Sequence, residues 1–501
     1  MDERNAHYWH SRGRELQEQG DLQAAEKAYL LALQQEPNRL RTLNNVSVLY
    51  IRQGRIEEAK KHLNSGLIQA GRLWQQSANE SLADEWALIL NARSQLAIDN
   101  NDFKEALRWS KIGLKLKPQG AGFSTLSVAL GGLNLHEKAA RSQKIGIARH
   151  GLKGPINSFI GKQLRTPYES AQLHTEICNL AASILRENPL NRDAWALMMA
   201  RLGMEDFIWQ QPILPWEKLW EGQPVEQLVI WDEQGYGDAI QCLRWIPVAC
   251  KKAIHVTLMF RPSMLTLVRE RLQLPKNCNL VAQQKGGFPQ DVDTCHCPIM
   301  ALPVALYPAG SNVNPQPNGS LNTVLKSKRS LTYCGKHKAG KPFRIGLVWA
   351  AGSKNHRDSH RSAQLRCIPA ETMLFHASRW ADLWDIELIS LQHGKEAQAS
   401  AHLQISGKIK QLSTGGDWLA TAEIVEQLDL VITVDTAMVH LAGSFGVPCL
   451  MLLNHLCDWR WFMNGKVIPW YPTLKILQAE ELHSWGKQLY KADCLIEDMV
   501  R

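Results

Sequence analysis

Over the first 150 residues, apolar and small side chains recur at the spacing of one helix face, and short polar turns break the pattern at regular steps. Trp9, Gly13, Leu16, Ala25, Tyr29 and Ala32 mark one helical pair, with Gly20-Asp21 at its turn and Pro37 after it. Gly54 follows Gly20 by 34 residues, and Leu43, Tyr50, Ala59, Leu63 and Gly66 repeat the same offsets. Asn101-Asp102-Phe103, Ala106, Ser110, Gly113 and Pro118 key a third copy after an insertion of 13 residues. A fourth, weaker copy runs through Phe123, Leu126, Leu130, Asn134, Ala139 and Gly146. Small residues at Gly13, Ala25 and Ala32 let two helices approach closely, and stacked neighbours bury each other's apolar faces. The pattern predicts a stack of helical hairpins over residues 1–150.

A period of about 34 residues with these residue types resembles the tetratricopeptide repeat. Beyond it, Leu180, Ala181, Ile184 and Leu185, then Trp195, Ala196 and Met199, keep a helical pattern without a clear repeat. Residues 151–224 therefore read as a helical connector or degenerate repeats. At Gln227 the period changes. Leu228-Val229-Ile230-Trp231 is a short apolar run, Gly235-Tyr236-Gly237-Asp238 a glycine turn, and Ala239, Ile240, Leu243 and Ile246 a helix face. That is the opening of a parallel α/β unit, with His255–Phe260 as its second strand. Pro308–Ser320, rich in Pro, Gly, Asn and Ser, reads as a linker. A second series follows with strands over Arg344–Trp349, Ile386–Leu391, Leu430–Val434 and Cys449–Leu453. The predicted fold class is α plus α/β: a helical solenoid, then two Rossmann-like domains over 225–325 and 340–495. Ligands in such sheets bind at the carboxyl ends of the strands.

Composition narrows the class. Apolar residues make up 45% and charged residues 21%, as in a folded globular chain. The amino-terminal segment carries charges of both signs without an apolar run behind it, which predicts no secretory signal. Thr436–Cys457 lacks Lys, Arg, Asp and Glu, but its glycines, proline, asparagine and histidines read as a buried helix, turn and strand rather than a membrane span. Eleven dispersed cysteines fit reduced thiols in a cytoplasmic protein. Cys295-His296-Cys297 lacks a second ligand pair at metal-site spacing. The net charge of +9 is local: eleven Lys or Arg and one acid, Asp358, lie between Leu325 and Arg366. One basic segment beside a phosphate loop fits a diphosphate ligand rather than nucleic acid.

The most informative segment ends a strand at Val434, turns through Asp435-Thr436-Ala437, and starts a helix at Met438-Val439-His440. Free N–H groups and the helix dipole favour an anion there. Thr436 and His440, four apart, share a face from which both reach phosphate oxygens. The bland reading makes Asp435 a helix cap and His440 a core histidine. For Asp238 the two readings are a helix cap and a base at the strand's carboxyl end.

The run Asp435–Pro448 resembles the donor-binding motif of the glycosyltransferase family 9 enzymes, the heptosyltransferases of lipopolysaccharide assembly. The likeness extends from Gln227 to Leu477, and the whole chain is similar to bacterial proteins that join tetratricopeptide repeats to such a transferase unit. Ala437 stands where heptosyltransferases usually have Gly. The resemblance implies a GT-B fold and a nucleotide-sugar donor. It implies inversion without a covalent intermediate, no cofactor and no essential metal. It makes Asp238 the base toward the acceptor hydroxyl. Should Asp238 only cap, the base must be sought elsewhere, and His296 is the next candidate. The resemblance places phosphate contacts at Ser353 and Arg361, a ribose contact at Gln392 or Glu396, and the diphosphate at Asp435, Thr436, Ala437 and His440.

The partners expected are a nucleotide-sugar, a glycan or protein acceptor, and a protein held by the repeats. Membrane association would come only through the acceptor. Three rival readings stand beside this one: a repeat scaffold with a degenerate transferase unit, a nucleotide-sugar epimerase, and a protein O-glycosyltransferase.

Overall fold

The computed structural model describes residues 5–149, 171–203, 218–283, 294–317, 324–327, 340–352, 365–411, 414–461, 468–482 and 484–501. The chain divides into two compact units, Met1–Glu187 with Ala200–Met204 and Asn188–Met199 with Glu205–Arg501.

The first unit is helical. Hairpins α1 (Ala6–Glu18) and α2 (Leu22–Gln35), α3 (Leu40–Gln53) and α4 (Ile56–Gln76), α5 (Glu80–Asp99) and α6 (Phe103–Leu116), and α7 (Gly120–Gly132) and α8 (His136–Ala148) follow in order, and α9 (Ala171–Glu187) packs on α8. Each hairpin turns through one residue with positive φ: Gly20, Gly54, Asn101 and Asn134. These are the glycines and asparagines that key the repeat in the sequence, because Gly and Asn tolerate the left-handed region. Asp21 and Asp102 then cap the second helix, accepting from Ala24 N at 3.0 Å and Glu105 N at 2.9 Å. Close approach explains Gly13, whose Cβ would lie 2.6 Å from the Tyr29 ring. The 13-residue insertion makes no long loop; it lengthens α4 to 21 residues and α5 to 20, against 14 in α2 and α3.

The second unit carries two parallel sheets. The first has the order β3-β2-β1-β4, from β1 (Val225–Trp231), β2 (Ala253–Phe260), β3 (Cys278–Ala282) and β4 (Thr294–Pro298). The second has the order β10-β9-β8-β5-β6-β7, from β5 (Phe343–Val348), β6 (Ile386–Ser390), β7 (Ile409–Gln411), β8 (Leu430–Thr433), β9 (Cys449–Leu453) and β10 (Leu474–Gln478). Every pairing is parallel, with Ile230 opposite Leu258 and Cys297, and Ile432 opposite Leu347 and Leu450. Strands β8 and β9 are buried throughout, which is why they read as apolar runs, with Thr433 at the end of β8 the one polar residue. Two Rossmann-like halves therefore follow the repeats.

One boundary differs from the sequence reading. Residues 188–199, expected in a connector, belong to the α/β unit. Helix α10 (Arg192–Met198) sends Arg192 to the carbonyls of Tyr307 at 3.0 Å and Val304 at 2.8 Å. Its Trp195 is buried edge-on against Trp245 of the first half and against Trp459 and Trp470 of the second. A helical period shows that a face is apolar, not which unit covers it. Trp195→Ala is expected to destabilise the α/β unit by about 3 to 5 kcal/mol, the range for emptying a buried aromatic site. Urea unfolding followed by tryptophan fluorescence measures it, and an unchanged midpoint would place α10 outside that core.

Candidate functional site

In the first half, β1 ends at Trp231 and the chain runs through Asp232-Glu233-Gln234-Gly235 into α11 (Tyr236–Cys242). Gln234 has φ 61, and Arg261 holds the turn by donating to Asp232 Oδ2 at 2.6 Å and Gln234 O at 3.1 Å. The same guanidinium lies 4.2 Å above the Tyr236 ring. Asp232 is buried, which pushes its carboxyl up against the pull of Arg261, and its Oδ1 has no hydrogen-bond partner among the described residues.

Asp238 does two jobs. One carboxylate oxygen accepts from Gly235 N at 2.9 Å, reaching back from the first turn of α11 to its N-cap backbone. The other forms an ion pair with Arg460 of the second half. Arg460 also donates to Asp458 Oδ1 at 2.7 Å and lies 4.2 Å from the Trp459 ring centroid. Burial alone would weaken its hold on the proton, but Asp238 and Asp458 outweigh burial and raise its pKa.

In the second half, β8 leads through Val434, Asp435 and Thr436 into α15 (Ala437–Ser444), after α12 (Pro262–Arg271), α13 (Ala370–Leu383) and α14 (Trp418–Val425). Thr436, not Asp435, caps α15: its Oγ1 accepts from Met438 N at 3.3 Å and meets Thr433 Oγ1 at 3.1 Å. Asp435 is buried, accepts from Trp461 Nε1 at 2.8 Å, and has Arg366 3.9 Å away. Burial raises its carboxyl pKa, with Arg366 opposing. Arg366 also donates to the Asp435 carbonyl at 3.1 Å.

His440 is buried, with Nδ1 bonded to Tyr471 Oη at 2.9 Å. Its pKa lies well below the usual value, first through burial and then through the charges of Arg460 and Arg244, so the ring is neutral. A Cβ on Gly237 would lie 2.7 Å from His440 Cδ2, 3.1 Å from Nε2 and 3.5 Å from Ala437 Cα. The start of α11 thus lies directly against the start of α15, and only glycine fits.

Other contacts join the halves beside this point. The rings of Tyr236 and Trp418 are 5.0 Å apart, Thr266 donates to Asp417 at 2.9 Å, and Arg271 pairs with Glu426 at 3.0 Å.

The structure brings Asp238, Asp435, Thr436, Ala437 and His440 together and separates others. Gln392 is buried and committed to backbone, accepting from Trp349 N at 3.0 Å and Ala350 N at 2.9 Å and donating to Ala350 O and His393 O. It shapes the rim after β5. Glu396 is exposed in the short turn Lys395–Ser400. Ser353 and Arg361 lie outside the described residues. His296 is buried in mid-strand, paired with Val229 in register, with its ring 3.5 Å from Trp231 Nε1, so it does not stand at the carboxyl edge. Sequence reasoning missed Arg460, Asp458, Trp461, Tyr471 and Arg366. Asp458-Trp459-Arg460-Trp461, charges alternating with tryptophans after an apolar strand, was the available signal.

Residues 6–39 match the tetratricopeptide repeat family. The chain opens on a tetratricopeptide repeat. Protein FlbA of Caulobacter vibrioides is 23% identical over 168 residues, 32% of this chain and 26% of that protein. The chain thus spans about a quarter of the length of the curated relative it matches. Among solved structures, E. coli ADP-heptose lps heptosyltransferase II is similar at 10% identity over 54% of this chain and 99% of that chain, with a TM-score of 0.37. E. coli heptosyltransferase WaaC with ADP is similar at 10% identity over 55% of this chain and 100% of that chain, with a TM-score of 0.35. The MamA protein is similar at 14% identity over 42% of this chain and 98% of that chain, with a TM-score of 0.27. Among the described residues, no helix is long and apolar enough to cross a membrane.

Asp238→Asn keeps the cap at Gly235 but removes the charge that Arg460 faces. Because Asp458 still pairs with Arg460 and both side chains retain some exposure, the expected loss of stability is about 1 to 3 kcal/mol, below that for a fully buried pair. Chemical denaturation of the two proteins checks it. Equal stability would reduce the carboxylate to a cap.

Proposed function

We propose that the chain is a glycosyltransferase that moves a sugar from a nucleoside-diphosphate donor to a hydroxyl of a glycan or protein acceptor. The observation that carries this reading is the Asp238–Arg460 pair, which joins the carboxyl edges of both sheets where two helix starts meet. Burying opposite charges at such a point costs more than a packed apolar contact. Perturbed, mostly buried ionisable groups gather preferentially at functional sites.

In this reading the diphosphate enters between α11 and α15. Arg460 turns from Asp238 to the phosphate oxygens, joined by Arg366, the N–H groups at the start of α15 and neutral His440. Ser353 and Arg361, from the resemblance, add further contacts. Freed of its cation, Asp238 accepts the acceptor hydroxyl's proton. The acceptor oxygen forms a bond to the anomeric carbon from the face opposite the diphosphate. The carbon–oxygen bond to phosphate breaks, and the nucleoside diphosphate leaves with the electron pair, giving inversion. The cations take up the charge that develops on the leaving group, the role a metal has in other transferases. Donor binding thereby unmasks the base, so donor precedes acceptor.

The tetratricopeptide array, a separate unit, recruits the acceptor or a protein partner. A second reading is favoured by the saturation of Asp238, both of whose oxygens are engaged: a non-catalytic unit that the pair holds shut.

A thermal-shift panel of ADP, GDP, UDP and TDP on the full chain tests the proposal, since a ligand of the folded state raises the melting temperature by mass action. One diphosphate is expected to raise it, and turnover of its sugar conjugate is expected to fall about 10²-fold to 10⁴-fold in Asp238→Asn. No diphosphate binding, or binding with no transfer to any glycan or protein acceptor, would contradict the first reading and favour the second.

A further inference from the structure

We propose that Cys250 and Cys278 form an oxidisable dithiol, a modification site at which a peroxide converts two thiols into an intramolecular disulfide. Their sulfurs lie 3.0 Å apart, in mutual contact, although the residues are 28 positions apart in the chain.

The backbones on both sides are pinned. Asn277 Nδ2 donates to the carbonyls of Cys250 at 3.0 Å and Ala253 at 2.8 Å, tying the segment before β2 to the segment before β3. Val256 N donates to Asn277 O at 2.9 Å, Cys278 N donates to Pro275 O at 3.1 Å, and Cys278 stands opposite Val256 in the parallel register. The two thiols therefore meet without needing the chain to rearrange.

Exposure assigns their roles. Cys278 is half-buried on an edge strand, whereas Cys250 is buried. Either thiol can donate to the other sulfur at this distance, so the contact favours a thiolate on whichever residue accepts. Access makes Cys278 the attacking group and the buried Cys250 the resolving one. The Cys278 thiolate attacks one peroxide oxygen, the O–O bond breaks, and Cys278 sulfenic acid forms as hydroxide leaves. The Cys250 sulfur then attacks the Cys278 sulfur. The S–S bond forms, the S–O bond breaks, and water departs with the Cys250 proton. Two thiols are oxidised and one peroxide is reduced.

Both residues lie at the amino-terminal end of β2 and β3, the edge of the sheet opposite Asp232 and Asp238. The cross-link is thus a staple on the edge strand, away from the charged junction. It closes a loop of chain and restricts the unfolded ensemble.

The test treats the reduced full chain with hydrogen peroxide, alkylates free thiols and maps peptides without reduction. The expected result is one linked pair of peptides carrying Cys250 and Cys278, released by a dithiol reductant, in a protein that melts several degrees higher than its reduced form. Cys278→Ser abolishes the link, and Cys250→Ser stops Cys278 at the sulfenic acid, trapped by a cyclic diketone. Should either variant fail to fold, the wild-type map decides. Both thiols remaining open to alkylation when the exposed Cys494 is already oxidised would overturn the proposal, as would Cys278 running on to sulfinic acid in the wild type.

Discussion

The start of α11 and the start of α15 carry partial positive charge of the same sign, and they are packed against each other. Two features make that tolerable. Gly237 lacks the Cβ that would collide with His440, and Asp238 sets a full negative charge beside the contact, itself balanced by Arg460. The rest of the site follows from this constraint. His440 stays neutral because it is buried with two arginines near it, and Thr436 takes the cap because Asp435 is drawn inward to Trp461 and Arg366.

Around the junction, aromatic packing fixes how the two sheets are held. Arg244 is buried, donates to the carbonyls of Pro315 at 2.8 Å and Trp470 at 3.2 Å, and lies 5.1 Å from the Tyr471 ring centroid. Tyr471, its phenol pushed up to about 12 by burial, reaches His440. Trp195, Trp245, Trp459 and Trp470 close the group edge to face. Chain segments far apart in sequence thus converge on His440, and Arg460 joins them by stacking on Trp459.

The helices and strands were legible because each rests on local physics. Gly20, Gly54, Asn101 and Asn134 announce left-handed turns, and Leu430–Ile432 and Cys449–Leu453 are apolar at every position because both their faces are covered. Asp238 was legible as a residue after a glycine turn, but not its partner: Arg460 is 222 positions away. Asp435 and Thr436 are adjacent and both can cap, so only tertiary contacts decide between them. Gln392 follows a strand end as a ligand contact would, yet its amide is spent on the backbone of Trp349 and Ala350. Trp195 shows the same limit at the scale of a domain, since its helix face is evident and the unit it joins is not.

The central claim is that Arg460 exchanges Asp238 for the donor's diphosphate. Isothermal titration of the full chain and of Arg460→Met with the preferred nucleoside diphosphate, its monophosphate and the nucleoside tests it most directly. The account predicts that Arg460→Met weakens the diphosphate by about 10-fold to 100-fold, the scale of a charge-assisted hydrogen bond, and leaves the nucleoside unchanged. Equal diphosphate affinity in a folded Arg460→Met protein would contradict it and leave the pair as a structural clasp.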